Sequence, residues 1–269
     1  MMMEMNSMDS CPSEAAVGYG LDMAFAHISY FQDIRSRSKH ELERPQRRSS
    51  SRQFCYDWNH STEENYRSYR PVGGDDDTRD DTHAYGSRYR EIRAMIDYSY
   101  HARYTRDREL VQDRIIDSVL SSTPATLDDG NNPSWIVFTA GVMGVGKTFT
   151  TRYLQQKGKL PLGNSFVTVD PDDLRGQLPE YATYVERNAE TAGEQTQKEA
   201  GMISEILTLV ALKRGQNVLV DGTLCDWGWY ARYFDKLRVL FPMLRIGIIH
   251  VTAPVDAIVQ RISVSPRHS

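Results

Sequence analysis

The stretch Ser134–Leu154, SWIVFTAGVMGVGKTFTTRYL, constrains this chain more than any other. It opens with Trp135-Ile136-Val137-Phe138, a brief apolar, β-branched run that suits a buried strand. The run leads into Gly141-Val142-Met143-Gly144-Val145-Gly146-Lys147-Thr148, which fits the phosphate-binding pattern G-x-x-x-x-G-K-[ST] at every fixed position. Phe149–Leu154 contains no helix breaker, so strand, glycine loop and helix follow in the order the motif requires. The backbone of Gly141, Gly144, Val145 and Gly146 can turn its N–H groups toward phosphate oxygens, and the positive end of the following helix points to the same place. Lys147 brings a mobile positive charge to the β- and γ-phosphates of a nucleoside triphosphate. Thr148 offers its hydroxyl to Mg²⁺, a cation that prefers oxygen ligands.

The 269 residues could hold one or two domains, but the 40% that are hydrophobic concentrate in the second half, which predicts one substantial core there. A net charge of −4 and a pI near 6.0 give no electrostatic reason to expect nucleic acid as an obligatory partner. Cys11, Cys55 and Cys225 are odd in number and widely spaced, so neither a disulfide framework nor a C-x-x-C metal site is written in the chain. A reducing, cytoplasmic setting is the expectation. No apolar run approaches the roughly 18 residues a membrane span needs, and Met1–Pro12 lacks the basic and apolar regions of a secretion signal. No membrane association is expected.

Residues 1–85 read as a disordered N-terminal region, because Ser, Arg, Asp, Gly and Pro dominate without hydrophobic period. Within it, Arg44–Arg52 reads as a solvated basic linker, Asp75–Asp81 as an acidic linker without the fixed Gly and Glu of an EF-hand, and Ala15–Ile34 as a short amphipathic docking helix. Residues 86–122 form a helical extension, since Ile92, Ile96, Tyr100, Tyr104, Val111, Ile115 and Val119 recur at helical spacing. His101 in that pattern is expected to be a satisfied helix residue. After a loop through Asp128-Asp129-Gly130, residues 133–269 alternate apolar strand and helix. Ser165–Val169 and Gln216–Val220 read as strands that exit on Asp170-Pro171-Asp172-Asp173 and Asp221-Gly222-Thr223. A long helix from Ala189 to Arg214, a helix from Trp227 to Leu240, a strand over Leu244–Val251 and a last helix around Val255–Ile262 complete the pattern. This predicts an α/β fold of the P-loop NTPase type, a parallel sheet with helices on both faces.

Carboxylates at strand exits of a parallel sheet open onto the ligand crevice. Beside a phosphate loop they suit phosphoryl transfer, in which cations neutralise charge and a carboxylate accepts the acceptor's proton. Asp170 and Asp172 are also natural helix caps. The chain has no N/T-K-x-D guanine motif, and its compact size favours a small-molecule kinase.

Gly141–Thr148, Val169-Asp170-Pro171-Asp172, the Glu194–Ile203 segment with Glu199, and Val220-Asp221-Gly222-Thr223-Leu224 together resemble the ordered motifs of the zeta toxin kinases. Leu178-Pro179-Glu180-Tyr181 and the extension over Tyr100–Ile116 bring the resemblance closest to the eukaryotic zeta-toxin-domain type, over residues 95–262. The resemblance implies an ATP- and Mg²⁺-dependent kinase acting on a hydroxyl of a small molecule; bacterial members act on UDP-N-acetylglucosamine. It implies that Asp172 is the base, that Lys147 and Thr148 serve phosphate and metal, and that Glu199, Asp221 and Thr223 line the acceptor side. Arg261 aligns with the first of two arginines that clamp the transferring phosphate.

Two departures bear on activity. Cys225 stands where the family has an arginine after Gly-Thr-Leu, and a thiol cannot replace that planar charged donor. The family also continues through an arginine-bearing lid, whereas this sequence reaches Ser269 soon after Arg261; Arg267 stands there without the expected surroundings. Two rivals stay open on these residues. One is a nucleotide-binding interaction module with little catalysis, whose N-terminal region binds a protein partner. The other is a polynucleotide 5′-hydroxyl kinase, which predicts a basic groove.

Overall fold

A computed structural model of the chain describes residues 55–68, 88–123, 133–162 and 165–264. The segments Ala15–Ile34, Arg44–Arg52, Asp75–Asp81, the Asp128-Asp129-Gly130 turn and Arg267 lie outside the described residues. Strand β1 (Trp135–Ala140) pairs in parallel with β3 (Val218–Val220) on one side and β4 (Arg245–His250) on the other, and β2 (Val167–Val169) pairs with β3, giving the order β2-β3-β1-β4. An internal parallel strand has two faces to bury, which is why β1 is continuously apolar from Trp135 to Phe138 rather than alternating. Ile136 and Phe138 point into one core with Val218 and Val220 of β3, while Val137 and Leu219 point into a second.

Helices cover both faces. The first core is closed by α7 (Ala189–Lys213), which contributes Ile203, Ile206, Leu207 and Val210, and by α8 (Trp227–Leu240), which contributes Tyr233 and Leu237. The second holds Leu160 and Leu162, with Leu154 of α4 (Lys147–Gln156) packed against it. The long α7 is bounded by local chemistry: the Asn188 side chain accepts from the Glu190 N–H, and Gly215, at φ 72°, folds the exit so that the Gln216 N–H reaches the Ala211 carbonyl. The α/β architecture expected from the sequence is the one observed.

The extension, expected as one or two amphipathic helices, holds two among its described residues, α2 (Arg90–Arg93) and α3 (Arg106–Ser122), but Tyr100 and Tyr104, in phase with the pattern, are not helical. The reason is Asp97, whose carboxylate accepts from the Ser99 N–H (2.9 Å) and hydroxyl (2.6 Å), a turn that competes with helix propagation. Ile92, Ile96 and Tyr104 are nonetheless buried.

Residues 55–68, assigned from composition to the disordered region, are also structured. Ser61 and Glu64 form a reciprocal capping box at the start of α1 (Thr62–Tyr66). The rings of Tyr56, Trp58 and Tyr66 cluster with Tyr184 from α6 (Tyr181–Arg187), with the Tyr56 and Tyr184 hydroxyls 2.6 Å apart. Composition failed here because the three aromatic side chains lie 118 or more positions from Tyr184 in sequence and read as isolated, and only the fold gives them an apolar surface.

Candidate active site

The phosphate loop takes the shape its glycines allow. Gly141 has φ 139°, and a Cβ there would stand 2.5 Å from the Val251 carbonyl oxygen at the end of β4. Gly146, at φ 100°, is the N-cap of α4. The Lys147 ammonium lies across the loop, donating to the Gly141 carbonyl at 3.0 Å and the Val142 carbonyl at 3.4 Å. A cradle that no side chain can share, at the N-terminus of a helix and with a lysine at its lip, fits a polyphosphate. A Gly141→Ala variant is expected to lose on the order of 1–3 kcal/mol of stability and its fluorescent-nucleotide binding together. Unchanged melting and nucleotide titration would show that the loop tolerates the methyl group.

Asp221 leaves β3 directly beside this loop. Its carboxylate accepts from the Thr139 hydroxyl of β1 at 2.6 Å and faces the Thr148 hydroxyl at 3.4 Å, and the Gly222 N–H donates to Thr139 Oγ1 at 3.0 Å. The following Thr223 carbonyl accepts from the Gly141 N–H at 3.3 Å, so the Asp221–Thr223 segment and the phosphate loop are tied together. Thr148 and Asp221 thus present two oxygen groups at one point. That donor set fits Mg²⁺, which takes few protein oxygens and completes its shell with phosphates and water. The role implied for Asp221 from the family pattern was contact with the acceptor; its position against Thr148 and the part played by Thr139 were not legible in the sequence. Leu224, at φ 56°, is a non-glycine residue in left-handed conformation at this exit, and Cys225 beyond it is exposed.

At the neighbouring exit of β2, Asp170 caps α5 (Pro171–Gly176), its Oδ1 accepting from the Asp172 N–H at 2.9 Å. Burial, then the negative charges of Asp173, Asp172 and Asp221, push its carboxyl up to about 6, against the Asp172 N–H that favours the charged form. Unfolded, this group releases its proton near 3.8, whereas folded it holds the proton to about 6. Stability is therefore expected to fall as pH rises through that window in metal-free buffer, by on the order of 2 kcal/mol. Asn caps helices equally well, so Asp170→Asn should flatten the dependence measured by urea unfolding from pH 4 to 7. An equally steep decline in that variant would assign it to another group.

Asp172 itself is exposed at the mouth of the crevice, 79% for its side chain, and the Arg175 guanidinium lies 3.3 Å from its Oδ1. Arg175 rests against Gly193 in the first turns of α7, where a Cβ would stand 2.8 Å from Nη1. A glycine inside a helix costs roughly 1 kcal/mol relative to alanine, and the room it leaves is taken by this arginine. Arg261, on α9 (Val255–Val264), donates from Nη1 to the Val145 carbonyl at 3.0 Å, and Ile262 of the same helix lies over Gly144. The fold therefore gathers Lys147, Thr148, Asp221, Thr223 and Arg261 around the loop, with Asp172 at the adjoining strand exit.

Glu199 is placed differently. It is fully buried, and both its oxygens are bound by Arg108 of the extension, at 2.6 Å from Nε and 2.9 Å from Nη2, with Gln112 Nε2 donating at 2.8 Å. The same guanidinium binds both oxygens of Glu180 at 2.9 Å, the Tyr66 hydroxyl donates to Glu180 at 2.6 Å, and the Tyr66 ring lies 4.1 Å from the guanidinium carbon. Burial alone would lower the Arg108 pKa, but the hydrogen bonds and charge of Glu199, followed by those of Glu180, raise it above the ordinary arginine value. In this structure Glu199 faces the extension and does not open onto the crevice. His101, expected to be a satisfied helix residue, lies outside the helices but is held: its Nε2 is 2.9 Å from buried Glu205, whose other oxygen accepts from Lys236 at 2.6 Å.

A parallel sheet whose central strand runs into a glycine phosphate loop, with Thr148 and a strand-end aspartate at its lip, defines a P-loop NTPase-like fold. Residues 116–239 match the family model described as zeta toxin. Among solved structures, a chain from the PezAT chromosomal toxin–antitoxin system of Streptococcus pneumoniae is 23% identical, with 58% of this chain and 61% of that one covered and a TM-score of 0.46. A chain of the AvrRxo1-ORF1:-ORF2 complex is 12% identical, with 75% and 58% covered and a TM-score of 0.41. The chain thus spans less than two thirds of either structure's length. A search of curated proteins gives no match. Among the described residues no helix is long and apolar enough to cross a membrane.

Proposed function

We propose that this protein is an ATP- and Mg²⁺-dependent kinase that transfers the γ-phosphate to a hydroxyl of a small molecule, a nucleotide sugar. The observation that carries the reading is the Thr148–Asp221 contact on a glycine loop closed by Lys147, since it joins a phosphate cradle to a divalent-cation donor pair. Mg²⁺ held there would neutralise charge on the β- and γ-phosphates. Lys147 and Arg261 bring positive charge to the same loop, which supports in-line transfer of an anionic group. Asp172 stands free of the loop and exposed, as a base on an incoming hydroxyl must be; Arg175 orients its carboxylate.

The test is transfer of label from γ-labelled ATP to a panel of UDP-sugars and metabolites, with Lys147→Ala and Asp172→Asn beside the parent. Label appearing on a small molecule, and in neither variant, supports the kinase. Tight nucleotide binding with no labelled acceptor supports the nucleotide-binding module instead, for which Cys225 in place of an arginine is the specific observation.

A further inference from the structure

Tyr230 belongs to the aromatic set on α8, yet it differs from its neighbours in where its hydroxyl ends. Its ring is locked among Trp229, Phe138 and Phe234, with centroids 4.8, 5.9 and 6.0 Å away. Its oxygen emerges at the exit of β3, 3.5 Å from the Cβ position of Gly222, one residue from Asp221. Gly222 is itself pinned by Thr139, so the hydroxyl has a fixed site, and it makes no hydrogen bond among the described residues. A rigid aromatic ring that delivers an unused donor to the edge of the crevice has the properties of a ligand contact.

Its surroundings say what kind. Burial, followed by Cys225, Tyr100 and Asp226, pushes the Tyr230 hydroxyl up to about 12, so it is a neutral donor throughout the physiological range. Tyr100 comes from the extension and is 39% exposed, with its ring edge-on to His101 at 4.9 Å and 5.9 Å from Trp229. The exposed Lys198 ammonium sits 4.3 Å from the Tyr100 ring centroid. The Asp226 carboxylate is engaged as the cap of α8, accepting from the Trp229 N–H at 3.0 Å. What the site offers a ligand is a neutral hydroxyl and a cation held against an aromatic ring, which together suit a sugar carrying phosphate.

We propose that Tyr230 and the Lys198–Tyr100 pair form the acceptor-binding wall of the crevice, Tyr230 donating a hydrogen bond to a nucleotide sugar and Lys198, seated on the Tyr100 ring, meeting its phosphate. This rests on the kinase reading above. It makes the extension part of the substrate site: Tyr100 is brought there by the turn at Asp97 and held beside His101, which Glu205 fixes.

The test is calorimetric titration of UDP-N-acetylglucosamine into the full chain with Mg²⁺ and a β,γ-imido ATP analogue, for the parent, Tyr230→Phe and Tyr100→Ala. Phe keeps the ring packing of Tyr230 and removes only the oxygen. The expected result is a roughly tenfold weaker Kd for the nucleotide sugar in Tyr230→Phe, the value of one neutral hydrogen bond. A loss of similar size is expected in Tyr100→Ala, with the analogue's own Kd unchanged in both. Equal nucleotide-sugar affinity in all three proteins overturns this assignment and leaves the kinase reading standing. Loss of the analogue in Tyr230→Phe overturns it too, by placing the hydroxyl in the ATP site. A parent that binds the analogue and takes up no nucleotide sugar overturns the nucleotide-sugar reading and this wall with it.

Discussion

An Asp172→Asn variant is expected to bind Mg-ATP as tightly as the parent and to transfer phosphate about 10²–10⁴-fold more slowly, the range for removal of a positioned general base. The separation of the two effects follows from position. Asp172 is bound by Arg175 and its backbone by Asp170, and none of these bonds reaches the phosphate loop. Asn keeps the size of the side chain and its backbone contacts while losing the proton-accepting charge. Single-turnover transfer of labelled phosphate, alongside a fluorescent-nucleotide titration, checks both halves. A turnover within threefold of the parent would remove Asp172 from the chemistry and turn attention to Asp170, the other carboxylate at the same strand exit.

Arg108→Ala is expected to destabilise the protein by about 3–5 kcal/mol, because it strands two carboxylates in a place built around one guanidinium. The Arg108 side chain is 2% exposed, and those of Glu199 and Glu180 are 0% and 10% exposed. Four charge-assisted bonds and the Tyr66 ring converge on it. The cost lies in the unpaired charges more than in the lost contacts, so an Arg108→Met variant that also carries Glu180→Gln and Glu199→Gln should recover a large part of the stability. Urea unfolding of the single and triple variants measures this. A single variant within 1 kcal/mol of the parent would mean that water or a rearranged side chain compensates the charges, and that the extension is held by its apolar contacts alone.

The elements that were readable in advance share one property: their signal is local. β1, α4, α7 and α8 are announced by apolar period, by Gly141–Thr148, by the Asn188 and Gly215 boundaries, and by an uninterrupted aromatic-rich run. The extension misled because hydrophobic period shows which residues are buried more reliably than the backbone conformation that buries them. Ile92, Ile96 and Tyr104 are all buried, but one Asp97 side chain redirects the chain between them. The short α5 and α6 passed unread because Asp, Pro and Glu mark turns as readily as helix starts.

Among the site residues, Lys147 and Thr148 were fixed by spacing within eight positions, since the geometry that binds phosphate is made by consecutive peptide groups. Asp172 and Asp221 were legible as carboxylates following strands, but not the distance of either from Thr148. Strand order decides that: β3, the last but one strand in the sequence, lies beside β1, which puts Asp221 73 positions from Thr148 in the chain and 3.4 Å away in space. Glu199 illustrates the opposite limit. One residue among the polar positions of a long helix carries no mark of the face it occupies, and its partner Arg108 lies 91 positions earlier. The sequence by itself determined the phosphate loop, the alternating α/β pattern and the chemistry available at the strand exits, because these depend on neighbours in the chain. Only the tertiary structure decided that Arg108 holds Glu199 and that Tyr100 stands near Tyr230, because ion pairing and ring packing act over a few ångströms in space whatever the separation along the chain.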